Sequence, residues 1–209
     1  MIVAFSGFAC NGKSTIIKTM KEILKNEDVF VMNETARIVD SIMPYFEKEF
    51  EVGNFEKYIL YSEISQHEVM FGIKDRYDII LKDRSIFDVL TFMIIRNEIN
   101  TRDALDFLRE NYDNEKHLSN LYDKIFFIRG TKDKDFIECL LEKDKLRRET
   151  VSNFFEMQRK FEYMWHRIVS DYQEETNRTL NIEYLDHPKD NSMTMWIIFG
   201  RILSERGVK

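Results

Sequence analysis

Apolar and polar positions along the chain fall into two alternating textures. Short apolar runs recur as "MIVAFS" (1–6), "DVFVMN" (28–33), "YDIILKD" (77–83), "KIFFIRG" (124–130) and "NIEYLD" (181–186). Runs of this length, apolar at successive positions and bounded by glycine or polar residues, predict strands buried on both faces. Between them apolar residues recur every three or four positions, the spacing of an amphipathic helix. Ile16, Ile17, Met20, Ile23 and Leu24 form such a stripe over 13–25. Further helices are predicted over 54–74, 86–98, 101–120, 151–173 and 191–205, with Thr101 as a capping candidate. The 151–173 helix carries Val151, Phe154, Phe155, Phe161, Met164, Trp165, Ile168 and Tyr172 on one broad stripe, and the last helix reads as the most apolar. Short buried strands alternating with helices predict an α/β fold, a mostly parallel five-stranded sheet flanked by helices. Ligands of such sheets collect at the carboxyl ends of the strands, so polar residues just past each strand become candidates.

Composition narrows the class. With 209 residues, 44% hydrophobic and 33% charged, the chain suits one domain over 1–209 with room for a small helical insert. A net charge of −6 supplies no basic surface for nucleic acid, although a small anion needs only a local basic site. Two cysteines, Cys10 and Cys139, are too few for a disulfide framework, which sets a reducing, cytoplasmic compartment as the expectation. The first ten residues lack a basic leader, arguing against a signal peptide, and no run approaches the roughly 18 apolar residues of a membrane span. Seven glycines and two prolines imply short loops.

The most specific motif follows the first strand. Gly7-x-x-x-x-Gly12-Lys13-Ser14 satisfies the P-loop pattern, between a buried strand and an amphipathic helix. The glycines let the backbone curl so that successive N–H groups face phosphate oxygens. Lys13 supplies a mobile charge for the β- and γ-phosphates, and the Ser14 hydroxyl is placed for Mg²⁺. Asn11 and Thr15 complete the expected nucleotide-binding set, and the helix that follows offers its positive end.

Acids and arginines mark two other strand ends. Glu34 follows the second strand with Arg37 three residues on; Asp83 and Arg84 close the third. Phosphoryl transfer needs a carboxylate to take or orient a hydroxyl proton and fixed positive charge near the moving phosphoryl group. Glu34 suits the first role. Arg37 and Arg84 suit acceptor binding, and Asp83 suits the Mg²⁺ shell. Surface ion pairing is the bland alternative for each. A basic cluster, Lys143, Lys145, Arg147 and Arg148, is either a solvated helix face or a lid over about 131–150 whose arginines close on the phosphates. Gln66 is a candidate reader of the acceptor. Phe55, Tyr58 and Tyr61 suit ring stacking but more simply form core, and "DHPKDN" (186–191) either borders the adenine or is a plain turn. The four histidines show no metal-ligand spacing.

With these residues placed, the chain resembles the P-loop kinases of small nucleosides and nucleotides, namely nicotinamide-riboside-kinase-like ATPases and the deoxynucleoside and thymidylate kinases. "NETARIV" is similar to the glutamate-x-x-arginine segment of the first group, and "DRSIFD" (83–88) to the acidic-Arg-Ser and Asp-Arg motifs of the others. "LRRETVSNFFEMQRKFEYMW" resembles their lid arginines and following helix. Deoxynucleoside kinases usually carry Glu-Pro after the second strand, whereas Thr35 follows Glu34 here. The resemblance implies an ATP- and Mg²⁺-dependent kinase with a nucleoside acceptor, Glu34 as base, and Lys13, Arg84 and Arg147 or Arg148 stabilising the transferring group. A nucleoside-monophosphate kinase, with Arg37 and Arg84 clamping an acceptor phosphate, is the close alternative. A regulatory P-loop NTPase is a third, disfavoured because the third strand ends without an Asp-x-x-Gly segment. A homodimer is compatible with all three.

Overall fold

Every residue of β1 (Ile2–Ser6) is buried, because this strand runs through the centre of the sheet. A computed structural model describes residues 1–35, 38, 55–112, 118–143 and 151–205. Within it, α1 (Lys13–Ile23) leads to β2 (Val29–Met32), and α2 (Phe55–Ile73) to β3 (Ile79–Asp83). Then come α3 (Ile86–Ile95), α4 (Thr101–Asn111), α5 (Leu118–Leu121) and β4 (Lys124–Ile128). The rest is α6 (Lys134–Lys143), α7 (Val151–Thr176), β5 (Ile182–Leu185) and α8 (Thr194–Glu205). The strands are parallel in the order β2-β3-β1-β4-β5, with Phe5 paired to Asp83 and to Phe126. Leaving β1 the chain crosses to one side, and leaving β3 it crosses to the other. The reversal opens a crevice at the carboxyl ends of β1 and β3, where α/β proteins of this kind bind ligands.

Side-chain alternation divides the core between the two faces of the sheet. Val3, Phe5, Leu81 and Phe126 pack beneath α1 and α8, against Ile16, Met20, Ile198 and Ile202. Ile2, Ala4, Ile80, Ile125 and Phe127 face the other way, under Leu90, Phe161 and Trp165. Aromatic rings dominate this second layer: Phe127 lies 4.4 Å from Trp165, and Phe92 4.8 Å from Phe161, between ring centroids. Fully burying side chains of this kind contributes about 1.5–3 kcal/mol each.

All five expected strands form, each one or two residues shorter than its apolar run. Four details differ from the sequence expectation. Asn100, not Thr101, caps α4: its side chain accepts the Asp103 N–H while the Asp103 carboxylate accepts the Asn100 N–H. The expected 101–120 helix stops at Asn111, where Tyr112 leaves helical geometry and its ring is buried. The most apolar helix is α3 rather than the last, with eight of its ten residues buried against α2, α4 and α7. By contrast Trp196 on α8 is 63% exposed. Ile23, at the end of the α1 stripe, is also exposed. No helix among the described residues is long and apolar enough to cross a membrane.

Candidate phosphoryl-transfer site

Beyond β1 the backbone enters conformations that compress a turn into a loop. Gly7 has φ +134°, Cys10 +62° and Gly12 +77°. At Gly7 a Cβ would stand 2.4 Å from the Ile128 carbonyl oxygen of β4, so a side chain is excluded by space as well as by φ. Gly12 is the N-cap of α1 and provides no side-chain cap, leaving the first-turn N–H groups turned toward the loop. Lys13 is buried and folds back, its Nζ donating to the carbonyls of Gly7 (2.8 Å) and Phe8 (2.6 Å). Burial, then the neighbouring Arg84, lowers its pKa to about 8 against the opposing pull of Asp88, Asp83 and Glu34.

Ser14 and Asp83 meet across the crevice. The Ser14 hydroxyl donates to Asp83 Oδ2 at 2.7 Å. Asp83 Oδ1 is buried and has no hydrogen-bond partner among the described residues. A hydroxyl beside an unsatisfied carboxylate oxygen is the hard oxygen set that suits Mg²⁺. Ser14, Glu34 and Asp83 share the wall of a cavity of about 420 Å³ between α1 and β2, with Lys18, Lys21 and Asn33.

Arg84 joins this wall to the P-loop. Its Nε donates to Glu34 Oε1 in a close ion pair, one of its terminal nitrogens donates to the Gly7 carbonyl (3.1 Å), and its guanidinium lies over the Phe92 ring at 5.3 Å. Burial works against this charge, but Glu34, Asp88 and Asp83 outweigh it and raise the pKa above the ordinary arginine value. The Arg84 backbone has φ +75°, held by its N–H on the Phe5 carbonyl at 3.0 Å. Positive φ at a non-glycine residue costs energy and concentrates at functional sites.

Gly7, Gly12, Lys13, Ser14, Glu34, Asp83 and Arg84 thus converge. Asn11 lies in the same loop, but its side chain is buried and donates to the Ile128 carbonyl at 2.8 Å. That side chain braces the loop, while the Asn11 backbone keeps its place in the phosphate cradle expected from the sequence. Thr15 is exposed on the first turn of α1. Gln66 is 9% exposed on α2, its Oε1 buried and without a partner among the described residues. Tyr58 and Tyr61 are exposed rather than core. The 186–191 segment is more than a bare turn. His187 Nδ1 accepts the Lys189 N–H (2.9 Å), which leaves Nε2–H to donate to the Cys10 carbonyl (3.3 Å) and brace the P-loop. Arg37, Arg147 and Arg148 lie outside the described residues, as do the 144–150 part of the expected lid and the Phe55 side chain.

Sequence reasoning missed Asp88. Its Oδ1 accepts the Gly7 N–H at 2.8 Å, while Oδ2 accepts the Ser85 N–H at 2.9 Å and the Ser85 hydroxyl at 2.8 Å. Ser85-x-x-Asp88 at a helix start was the available signal, since this spacing closes a capping box. A buried cluster of Thr35, Glu63, His67 and Lys82 was also missed.

No family model matches the sequence. No curated protein matches it either. Solved structures do match. Deoxyadenosine kinase from M. mycoides, with products dCMP and a flexible dCDP bound, superposes with TM-score 0.60 at 18% identity, over 98% of this chain and 100% of that one. The same enzyme with bound dATP gives TM-score 0.59 at 17% identity, over 97% and 99%. The chain therefore has the P-loop fold of a nucleoside kinase, with a parallel five-stranded sheet between helical layers.

Proposed function

We propose that this chain is an ATP- and Mg²⁺-dependent kinase that transfers the γ-phosphoryl group to a nucleoside, with a deoxynucleoside as the first candidate. One observation carries the reading: Glu34 from the end of β2 and the Ser14–Asp83 pair share one cavity wall, and Arg84 ties Glu34 to the P-loop. A nucleotide switch has no use for a carboxylate at that position. A kinase needs one there for its acceptor. The neighbours' substrate class supports the same choice, since the M. mycoides enzyme is a deoxyadenosine kinase with dCMP or dATP bound.

In this mechanism the P-loop amides and Lys13 hold the triphosphate. Asp83 and Ser14 would hold Mg²⁺, which neutralises charge on the phosphate oxygens when bound. Glu34 orients the acceptor hydroxyl and takes its proton as the hydroxyl oxygen bonds to the γ-phosphorus. The bond from that phosphorus to its bridging oxygen breaks, and ADP leaves. Arg84, paired with Glu34 and bonded to the Gly7 carbonyl, keeps its own charge close to the phosphoryl group. Gln66 Oε1, without a partner among the described residues, offers an acceptor atom to an amino or imino group of the nucleoside base. Arg147 and Arg148, in the lid expected over 131–150, are assigned to the phosphate charge and Arg37 to the acceptor; all three lie outside the described residues. The setting is cytoplasmic, in keeping with two free cysteines, and a homodimer fits the assignment.

Single-turnover transfer from γ-labelled ATP, offered to a panel of deoxynucleosides and their monophosphates, tests this. Labelled monophosphate and ADP are expected. Label entering only diphosphates would move the assignment to a monophosphate kinase. ATP hydrolysis indifferent to every acceptor would refute a kinase.

A further inference from the structure

Beneath the acceptor side of the cleft lies a charged cluster that the mechanism does not use. Lys82, the fourth of five residues in β3, is fully buried, and its Nζ contacts both oxygens of Glu63 on α2, at 3.0 and 3.1 Å. Glu63 also accepts the Thr35 hydroxyl in a close contact and lies 3.3 Å from His67 Nε2. His67 in turn meets the hydroxyls of Tyr112 and Tyr122. Thr35, Glu63, His67 and Lys82 are each at most 2% exposed. Charges this deep are costly, and apolar residues of similar size usually stabilise a core as well or better. Core stability alone therefore gives no reason for them.

Their positions do. Thr35 is the chain neighbour of Glu34, and Lys82 is the chain neighbour of Asp83. Glu63 lies one helical turn before Gln66 on α2. A single carboxylate thus fastens three segments that come from β2, α2 and β3 and carry the expected base, base reader and metal ligand. We propose that Glu63, with Lys82 and Thr35, is a positioning residue that fixes Glu34 relative to Asp83 and so sets the spacing of base and phosphate. The inference rests on the kinase assignment for its catalytic consequence, but not for its geometry.

The test replaces the polar set by apolar residues, Thr35→Val, Glu63→Leu and Lys82→Met together. Four readouts are needed: melting temperature, affinity for a non-hydrolysable ATP analogue, transfer kinetics, and amide hydrogen exchange at 33–35 and 83–85. Melting is expected within about 4 °C of the parent, and analogue affinity within about twofold. Turnover should fall about 10- to 100-fold, with acceptor KM moving less than about threefold. Exchange at the two segments should rise at least about tenfold, with 2–6 unchanged. A folded triple variant with parental turnover and parental exchange overturns the proposal. If the triple variant does not fold, Thr35→Val alone decides. It leaves the ion pair intact, and should lose turnover that Thr35→Ser restores; unchanged turnover and exchange would overturn the idea. If the parent transfers phosphate to no acceptor, the kinase reading falls. Exchange at 33–35 and 83–85 then judges the positioning claim by itself.

Discussion

Replacing Gly7 by alanine tests the phosphate loop at its tightest point. The added methyl would meet the Ile128 carbonyl oxygen at 2.4 Å, a backbone atom of a fully buried strand that has little freedom to yield. The φ of +134° adds strain of about 1–3 kcal/mol for any residue with a Cβ. Forcing a methyl group into a packed interior costs about 1–3 kcal/mol more. The sum, roughly 2–6 kcal/mol, corresponds to a melting temperature lowered by on the order of 5–20 °C in a chain of this size. The same residue donates its N–H to Asp88 and offers its carbonyl to Lys13 and Arg84, so any shift that relieves the clash also moves three site residues. Thermal unfolding, with and without an ATP analogue, reads both effects. Melting should fall, and the analogue should restore little of it, since a ligand stabilises only the state that binds it. The control is Gly72→Ala at an exposed position of α2, where a Cβ meets nothing within 4 Å. That change should stabilise by about 0.5–1 kcal/mol. If Gly7→Ala melts within about 2 °C of the parent and binds the analogue normally, the close-packed loop described above is wrong.

Three further outcomes are expected. Glu34→Gln should lower turnover about 10²- to 10⁴-fold while changing acceptor KM little, as measured by steady-state kinetics; a parental rate would remove Glu34 as base. ATP affinity should be highest below pH 8 and weaken above it by at most about tenfold per unit, because free Lys13, with its pKa near 8, sheds the proton that phosphate requires. A flat binding profile between pH 7 and about 9.5 would contradict this. Acid unfolding should report Glu63: burial alone would raise its pKa, but Lys82, then His67 and Thr35, hold it down to about 2 in the folded protein. That contribution is complete above pH 4.5 and lost as pH falls toward 2. Glu63→Leu with Lys82→Met should therefore flatten the stability curve in that window, as read by denaturant melts at stepped pH.

Much of the donor half of the site was legible in the sequence, because its chemistry is local. Gly7, Gly12, Lys13 and Ser14 lie within eight consecutive residues, and their meaning depends only on a strand before and a helix after. Glu34, Asp83 and Arg84 could be nominated because strand ends of a parallel sheet share one edge. Their pairing could not, since Arg84 reaches Glu34 only through the β2–β3 register. Lys82 was invisible for a related reason. A lysine in a strand reads as a solvent-facing position, and nothing local announces that Glu63, on the preceding helix, is folded beneath it. Asp88 reads as an ordinary first-turn acid until Gly7 is seen beside it. Helix boundaries failed where side chains overrode propensity, as at Tyr112, whose buried hydroxyl engages His67 at the end of α4.

The two halves of the cleft hang on unequal supports. The phosphate loop springs from β1, with all five residues buried between two neighbours, whereas Glu34 leaves β2, four residues long, three of them half-buried, and paired among the described residues on one side only. Local opening begins where backbone is least covered. Under mild denaturant the molecule should therefore lose its grip on the acceptor while still retaining nucleotide, so that catalysis disappears before ligand binding and well before the sheet itself comes apart.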